Sequence, residues 1–457
     1  MKDRFGIDWS NVKGTHFWRG AHMGRRMFFR HAASALGGYF LLPSRPQGSV
    51  AQAAPSLIGT AKYCIFVLMS GAPSHVDTFD FKEGSWTPAY MQPESYDGVR
   101  FPKGLMPKLG DQMDNIAFLR SVRSWVSVHG LGQTWVQIAR NPITGLARIA
   151  PHMGSVASLE LAGKPESQTL PVFVALNTGS GPGSGYFEPR HAPFYVNPNG
   201  AGLANTTHPS GQPAFDRRYG LLLDVDSEMR AAENPLGAAP AEIATFSGSA
   251  RRLMYNTEVN AAFTFSADER ARYGNTGFGN ACIAARNLLQ RKLGTRFIQI
   301  TIGGWDHHAN IYQANGQLQT LSRQFDNGLG TLMEDLKQAG LLDETLIVAM
   351  GEFGRTVGAL NNQGGRDHFL QQAVFMAGAR IRGKRAIGAT DEVGRATTET
   401  GWKENRDIRT EDVAATIYSA LGIDWTTMRT DDPLGRGFEY IPTNQSVLYA
   451  PVNELWG

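Results

Sequence analysis

Six short apolar runs along the chain have the length of β-strands. The first, "YCIFVLM", is continuously apolar and ends at a glycine, which is typical of a strand buried on both faces. The runs predict strands at 62–71, 115–122, 170–176, 296–304, 344–351 and 372–379.

Two segments have the apolar spacing of helices. Between 317 and 339, six apolar residues recur every three or four positions, and Gly340 is a suitable stop. The segment 409–422 predicts a last helix with Thr410 as its N-cap and Gly422 at its end. Strands that alternate with helices predict an α/β fold with a mainly parallel central sheet flanked by helices.

A long segment separates the third strand from the fourth. Residues 177–213 are rich in Gly, Pro, Asn and Ser, which indicates an irregular loop, and 214–291 are largely helical in pattern. We therefore expect a loop and helical insertion at about 177–291 within a domain that spans 54–457.

Charge is distributed unevenly. The 457 residues carry a formal charge of +3, but 1–53 hold eight of the 44 basic residues and two of the 41 acidic ones. The remainder therefore has 36 basic and 39 acidic residues, a net charge of −3. That balance gives no sign of nucleic acid as a partner.

The basic beginning resembles a twin-arginine export signal. Arg25 and Arg26 precede a short apolar run, and Ala51-Gln52-Ala53 has the pattern of a cleavage site. The apolar run is too short to span a bilayer, and no transmembrane span is evident in the mature part. We expect 1–53 to be a signal peptide, the export machinery to be a partner, and the mature protein to be periplasmic or secreted. A cytosolic basic helix is the alternative.

Histidines, carboxylates and arginines follow several predicted strands. In an open parallel sheet, ligands collect beyond the carboxyl ends of the strands. The residues at these ends are Asp77 and Asp80, then Ser127 and His129, then Asp306, His307 and His308, and finally Glu352, Arg355, Arg366, Asp367 and His368.

These residue types suit a metal site. Neutral imidazole and carboxylate hold divalent ions such as zinc or manganese, and a further carboxylate or carbonyl commonly orients each imidazole. A single Asp-His pair is equally typical of structural hydrogen bonding, so the prediction rests on the clustering. Arg355 and Arg366 are suitable partners for an anion, or for salt bridges to Glu352 and Asp367.

Several motifs together resemble a known family. "SGAPSHVDTFD", "GGWDHH", "GEFGRT", "GRDHF" and "AIGATDEVG" occur in this order. The chain from about 61 to 441 is similar to the exported bacterial domain-of-unknown-function family 1501, which is grouped with the alkaline phosphatase and sulfatase superfamily. The resemblance implies an alkaline phosphatase-like fold and a small anionic ester as substrate.

The resemblance also implies site residues. One metal would be held by Asp306, His308 and His368, and His307 stands where the family usually has threonine. A second metal would use Glu352, with Asp77 or Asp80 reaching back from the first loop. Phe353 replaces the imidazole that the superfamily places next to that carboxylate. The nucleophile would fall between Ser127 and His129, where no clear match stands, so Ser127 could attack, or water could attack with His129 as ligand or base.

Two function classes remain open. The first is an exported, metal-dependent hydrolase of phosphate or sulfate esters, with Ser127, His129 and Arg355 as catalytic residues. Its metal ligands would be Asp77, Asp306, His308, Glu352 and His368, and its metal would be zinc or manganese, with calcium as an alternative. The second is a non-catalytic, exported metal- or anion-binding protein of the cell envelope that retains the fold.

Overall fold

A central sheet of eight strands organises the described part of the chain. The computed structural model describes residues 56–163, 168–227, 239–443 and 448–457, so the predicted signal peptide at 1–53 lies outside the described residues. In chain order the strands are β1 (Tyr63–Met69), β2 (Ile116–Arg123), β3 (Phe173–Leu176), β4 (Phe194–Val196), β5 (Phe297–Ile302), β6 (Thr345–Met350), β7 (Gln371–Gly378) and β8 (Arg385–Ile387).

The sheet is mainly parallel, as predicted. Its strand order is β8-β2-β7-β6-β1-β5-β3-β4, and β7 alone runs against its neighbours β2 and β6. All six strands predicted from the sequence are confirmed. The two that the sequence did not indicate, β4 and β8, are three-residue strands at the two edges of the sheet.

β1 shows why the sheet is buried on both faces. All seven of its residues are buried, and it pairs in parallel with β5 on one side and β6 on the other. Ile65 and Val67 belong to one hydrophobic cluster, whereas Cys64, Phe66 and Leu68 belong to the other. Alternate side chains of one strand therefore enter two separate cores, one on each face.

Helices cover the two faces and form most of the segment between β3 and β5. Among the described helices, none has both the length and the apolar character that a bilayer-spanning segment needs. The α-helices are α1 (Pro107–Gly110), α2 (His129–Ile138), α3 (Met153–Leu161), α4 (Gly211–Val225), α5 (Ala239–Leu253), α6 (Thr257–Ala262), α7 (Ala267–Arg272), α8 (Gly277–Arg291), α9 (Gln317–Phe325), α10 (Thr331–Gln338) and α11 (Thr410–Ala420).

The helix predicted at 317–339 contains a π-helical turn. Asp326–Gly330 joins α9 to α10, and the apolar stripe on either side is buried as expected. The turn brings the Asp326 carboxylate to the backbone N–H groups of Lys108 and Leu109, at 3.1 and 2.8 Å. Gly340 has a φ of +68°, in accord with its predicted role as a stop. In α11, however, Thr410 is the first helical residue and Arg409 is the N-cap, so the predicted cap was one residue late.

Four two-stranded ribbons and several 3-10 turns lie outside the main sheet in the described part of the chain. The described two-stranded ribbons are Glu94–Tyr96 with Val99–Phe101, Gly354–Arg355 with His368–Phe369, Ala389–Thr390 with Thr397–Glu399, and Met428–Arg429 with Phe438–Glu439. The described 3-10 turns are His75–Asp77, Ala89–Met91, Met113–Asn115, Gly145–Ile149, Pro189–His191, Leu342–Glu344 and Asn453–Leu455.

A buried glutamate joins α11 to α2 and to the loop before it. Glu411 accepts hydrogen bonds from the indole nitrogens of Trp125 and Trp135, at 3.0 and 2.8 Å. The two indoles stack with their ring centroids 6.1 Å apart. Burial raises the pKa of Glu411 to about 7, although the two indole N–H groups oppose the shift.

The raised pKa of Glu411 leads to a stability prediction. The folded state holds this proton more tightly than the unfolded chain, whose carboxyl has the ordinary pKa of 4.5. Stability therefore declines as pH rises from about 4.5 to about 7. We expect Glu411→Gln, which stays neutral, to gain up to about 3 kcal/mol relative to the wild type across that interval. Urea unfolding at the two pH values measures this gain, and a difference that does not change with pH contradicts it.

Candidate metal centre

One edge of the central sheet collects the predicted site residues. Asp306 and His308 follow β5, and His129 is the first residue of α2, which follows β2. His368 precedes β7, and because β7 runs in the reverse direction its start lies at the same edge as the ends of β5 and β6. The ribbon Gly354–Arg355 with His368–Phe369 pairs Arg355 directly with His368.

Three imidazoles converge on one carboxylate oxygen. The Nε2 atoms of His308, His129 and His368 lie 3.0, 3.3 and 3.6 Å from Oδ1 of Asp306. The Nε2 atoms of His308 and His368 lie 3.2 Å from each other. We call these four residues, His129, Asp306, His308 and His368, the histidine-aspartate cluster.

The hydrogen bonds on the far side of each ring determine its tautomer. Nδ1 of His129 lies 2.6 Å from Oε1 of Glu352, and Nδ1 of His308 lies 2.9 Å from Oδ1 of Asp367. Nδ1 of His368 lies 2.8 Å from the backbone oxygen of Ser127. Ionised carboxylates and carbonyl oxygens only accept hydrogen bonds, so each Nδ1 carries a proton. In the neutral rings, each Nε2 therefore has a lone pair that faces Asp306.

The convergence of lone pairs is the arrangement that a metal ion needs. Bare nitrogens next to a carboxylate oxygen repel it unless a cation lies between them, and Nε2 of His129 has no hydrogen bond among the described residues. Around an ion that four ligands hold tetrahedrally at 2.0–2.1 Å, the ligand atoms are about 3.3 Å apart. Four of the six separations within the cluster, at 3.0 to 3.6 Å, are close to that value. His129, Asp306 and His368 each offer one ligand atom within 4.8 Å of the others, so these three suit a divalent metal, and His308 lies against two of them.

Arg355 is fully buried, and protein acceptors take all five of its N–H groups. Nε and Nη2 donate to the carbonyls of Ala72 and Gly71, at 2.9 and 2.5 Å, and Nη1 donates to the carbonyl of Arg366 at 3.2 Å. Nη2 also donates to Asp306, and Nη1 donates to Nε2 of His308 at 3.2 Å. Arg355 was predicted to bind an anion, but in this structure it has no N–H group free to donate to one.

The charges around the cluster keep its exposed carboxylates ionised. Partial burial would raise the pKa of Asp306, but the hydrogen bond and charge of Arg355, with contributions from His129 and His308, bring it below the ordinary value. The hydrogen bond from His308 is the main cause that lowers the pKa of Asp367. Both residues are therefore carboxylates at neutral pH.

Glu352 lies behind His129, where it supports the ring. Its Oε1 accepts hydrogen bonds from the Nδ1 of His129, from the backbone N–H of Gly71 at 3.0 Å and from the side chain of Gln133 at 3.1 Å. The side chain is fully buried. Glu352 was predicted to be a metal ligand, whereas these contacts are those of a carboxylate that orients a ligating histidine.

Among the described contacts, Asp77 makes none with the histidine-aspartate cluster. Its carboxylate pairs with Nε of Arg366 at 2.8 Å and accepts hydrogen bonds from Ser74 and Tyr312, both at 2.5 Å. Both members of the ion pair are buried. These contacts are those of a structural ion pair, and the metal-ligand role predicted for Asp77 has no support from them.

Ser127 and His307 contribute little beyond their backbones. The described hydrogen bond of Ser127 uses its carbonyl, which accepts from His368, and not the hydroxyl predicted to attack. His307 is buried, neither of its ring nitrogens has a hydrogen bond among the described residues, and burial lowers its pKa to about 4. His308 is a member of the cluster, whereas the ring of His307 makes no hydrogen bond to it among the described residues.

The sequence analysis missed two supporting residues. Gln133 was not considered, although its position four residues after His129 on α2 puts both on one helical face. Its side chain bridges Ser70 and Glu352, at 2.8 and 3.1 Å. Asp367 was counted among the strand-end residues and as a salt-bridge partner for an arginine, but its support of His308 was not predicted, because no spacing signal links the two.

Comparison with known families shows which family the chain belongs to. The family described as "Protein of unknown function (DUF1501)" matches residues 61–448. The chain belongs to this family. No curated protein matches the sequence.

Solved structures to which the chain is similar include a sulfatase, a protein in the alkaline phosphatase superfamily and a phosphonate monoester hydrolase. A sulfatase from Pseudoalteromonas sp. is 13% identical, with 79% of this chain and 68% of that chain covered and a TM-score of 0.40. A superfamily protein from Vibrio parahaemolyticus is 12% identical (81% and 70% covered, TM-score 0.35). A phosphonate monoester hydrolase from Silicibacter pomeroyi is 10% identical (79% and 73% covered, TM-score 0.36). At such TM-scores these likenesses carry no conclusion about the chemistry of this DUF1501 protein.

The two interpretations of Asp77 can be separated by mutation. In Asp77→Asn the buried guanidinium of Arg366 loses its counter-ion, so we expect a loss of about 3 kcal/mol or more in the free energy of unfolding. Metal content of the folded variant should equal that of the wild type. Chemical denaturation and elemental analysis measure the two quantities. Loss of metal with little loss of stability would instead restore Asp77 as a ligand.

The role of Glu352 has an equally direct test. Glu352→Gln removes the charge that holds the Nδ1 proton of His129, and we expect metal affinity to fall about 10- to 100-fold, as for other residues that orient a ligating histidine. Ser124→Ala is the matched control, because in the described part of the chain the Ser124 hydroxyl bonds to the backbone oxygen of Glu352 and to Gln372, and not to a cluster side chain. Competition titration with a chelator measures the affinity. Complete loss of binding would make Glu352 a ligand, and unchanged affinity would deny it either role.

Proposed function

We propose that the protein is an exported, metal-dependent hydrolase of phosphate or sulfate esters whose metal is held by the histidine-aspartate cluster. The observation that carries the proposal is the convergence of three Nε2 atoms on Oδ1 of Asp306, with every Nδ1 proton given to an acceptor on the other side. Ligation through Nε2 with a fixed partner on Nδ1 is the usual form of a catalytic or structural metal site.

The donor set favours certain metals. Three imidazole nitrogens and one carboxylate oxygen suit zinc, and imidazole with carboxylate also suits manganese. Calcium takes oxygen ligands, so it suits this set poorly. A bound divalent ion would supply Lewis-acid stabilisation of negative charge on the ester oxygens.

The roles of the chain's own residues follow from their contacts. His129, His308 and His368 present their nitrogens, while Glu352, Asp367 and the carbonyl of Ser127 keep the rings oriented. Arg355 holds Asp306 in place from a fully buried position, so it acts by positioning. His129, predicted as ligand or base, is assigned here as a ligand.

The contacts of the nearby serines bear on the identity of the attacking group. Among the described contacts, no serine hydroxyl bonds to the histidine-aspartate cluster: Ser127 offers its carbonyl, and the Ser70 hydroxyl accepts from Gln133. This arrangement favours water over serine as the nucleophile.

One observation favours the alternative, a non-catalytic metal- or anion-binding protein of the cell envelope. Arg355 already donates to Asp306 and to the Nε2 of His308, so a guanidinium charge partly satisfies the cluster. For either function, export by the twin-arginine machinery and a periplasmic or secreted location rest on the sequence of 1–53 and belong to the same proposal.

Metal analysis combined with an ester screen tests the proposal. We expect close to one equivalent of divalent metal in the mature protein, and turnover of aryl sulfate or aryl phosphate esters that a chelator abolishes. His129→Ala, His308→Ala and His368→Ala should each lose metal and activity while remaining folded. His208→Ala is the matched control, because His208 lies next to α4 and contacts Ser210 and Arg218.

Two results would count against the proposal in different ways. Less than a tenth of an equivalent of metal, with no turnover, contradicts the hydrolase. One equivalent of metal that depends on the three histidines, with no turnover of any ester, supports the non-catalytic alternative.

A further inference from the structure

One helix of the insertion between β3 and β5 has no buried residue. Each residue of α4, Gly211–Val225, is exposed or half-buried. A helix of a globular protein normally owes most of its stability to an apolar face that packs against a neighbour. α4 therefore has a side that no described part of this chain covers.

The contacts of α4 define its inner side. The ring centroid of Phe215 lies 6.1 Å from that of Tyr255, and the Asp216 carboxylate pairs with Arg251 at 2.7 Å. The guanidinium of Arg251 also lies 5.3 Å from the ring centroid of Tyr219. At about 3.6 residues per turn, positions 215, 216 and 219 fall within roughly 100° of one another around the helix axis. This inner side faces α5 and the turn that follows α5.

The opposite side of α4 carries two exposed apolar residues beside two opposite charges. Four residues are centred about 180° from the inner side, namely Arg217, Leu221, Asp224 and Val225. Leu221 is 64% exposed and Val225 is 66% exposed. Arg217 and Asp224 are exposed, and within the described residues neither side chain has an ion pair or a hydrogen bond. We call these four residues the outer stripe.

The outer stripe is complementary to a second copy of itself. Arg217 and Asp224 lie about two helical turns apart, on the same flank of Leu221. In an antiparallel pair of α4 helices whose two-fold axis passes beside Leu221, the arginine of each copy lies level with the aspartate of the other, and the two leucines meet. A parallel pair in register would instead place like charges side by side, which disfavours it.

Charge also distinguishes a protein partner from a membrane. A helix that lies on an anionic lipid surface is rich in Lys and Arg along its polar face. The outer stripe has one arginine and one aspartate, so its formal charges cancel. A protein surface with the same alternation of charge suits it better, and a second copy of this chain supplies one.

We infer that α4 is a self-association surface, at which two copies of the protein dock through antiparallel outer stripes. This inference goes beyond the proposed function and does not depend on it. Two helices of about four turns each bury less area than a standard protein–protein interface, so we expect a weak and reversible dimer.

A cysteine placed beside the two-fold axis tests the arrangement. The natural cysteines, Cys64 and Cys282, are both buried, so one added thiol reports the contact. We expect Leu221→Cys to give a covalent dimer with a short bismaleimide cross-linker, because the two thiols meet at the axis. Ile143→Cys is the matched control, because Ile143 is 76% exposed and lies in the loop after α2, and it should stay monomeric.

Charge reversal tests the pairing of the two flanking residues. Arg217→Asp and Asp224→Arg each put like charges opposite each other twice in the dimer. We expect each single variant to weaken association about tenfold at low salt, and the double variant to restore it to within about threefold of the wild type. Sedimentation equilibrium measures the association, and circular dichroism checks that each variant is folded. Metal content should not change in any of the three.

Three results would overturn the inference. The first is a protein that stays monomeric at high micromolar concentration, with no cross-link through Leu221→Cys. The second is a dimer that neither charge reversal weakens, which would place the interface elsewhere. The third is binding to anionic lipid vesicles that Leu221→Asp abolishes, without self-association, which would assign the outer stripe to a membrane surface. None of these measurements depends on turnover, so failure of the hydrolase proposal would leave this inference standing.

Discussion

Three Nδ1 protons determine the chemistry of this edge of the sheet. Because Glu352, Asp367 and the carbonyl of Ser127 each take one of them, the opposite nitrogens of the three rings have only lone pairs to present. If any of these acceptors were replaced by a donor, the ring could turn over and present an N–H instead. The fit of the cluster to a metal thus depends on residues that would never touch the ion.

The fold supplies these residues from separate parts of the chain. Asp306 and His308 come from the loop after β5, His129 from the start of α2, and His368 from the ribbon strand just before β7. The reversed direction of β7 places His368 at the carboxyl edge of an otherwise parallel sheet. A buried arginine beside such a site requires acceptors for its charge. Arg355 finds them in the carbonyls of the loop after β1 and in Asp306, so it ties that loop to the cluster.

The sequence predicted the sheet better than it predicted the site. Long apolar runs such as 63–69 are buried whatever surrounds them, so all six were found, whereas the three-residue edge strands β4 and β8 have too few residues for a pattern. The family resemblance named Asp306, His308 and His368, and the structure brings these three to one edge of the sheet. The same resemblance named Glu352 and Asp77, and residue type named Arg355, but whether a carboxylate ligates a metal or orients a histidine depends on which atoms face it. That depends on tertiary contacts, such as Arg366 with Asp77 and Gln133 with Glu352, which no spacing along the chain indicates.

The most direct measurement is the X-ray absorption spectrum of the protein loaded with one equivalent of zinc. The fine structure counts imidazole ligands and gives their distances, independently of any substrate. We expect three imidazole nitrogens and one oxygen at about 2.0–2.1 Å, and two imidazoles in each of His129→Ala, His308→Ala and His368→Ala. A spectrum with one imidazole or none, or one that the three substitutions leave unchanged, would contradict the assignment of the histidine-aspartate cluster as the metal centre.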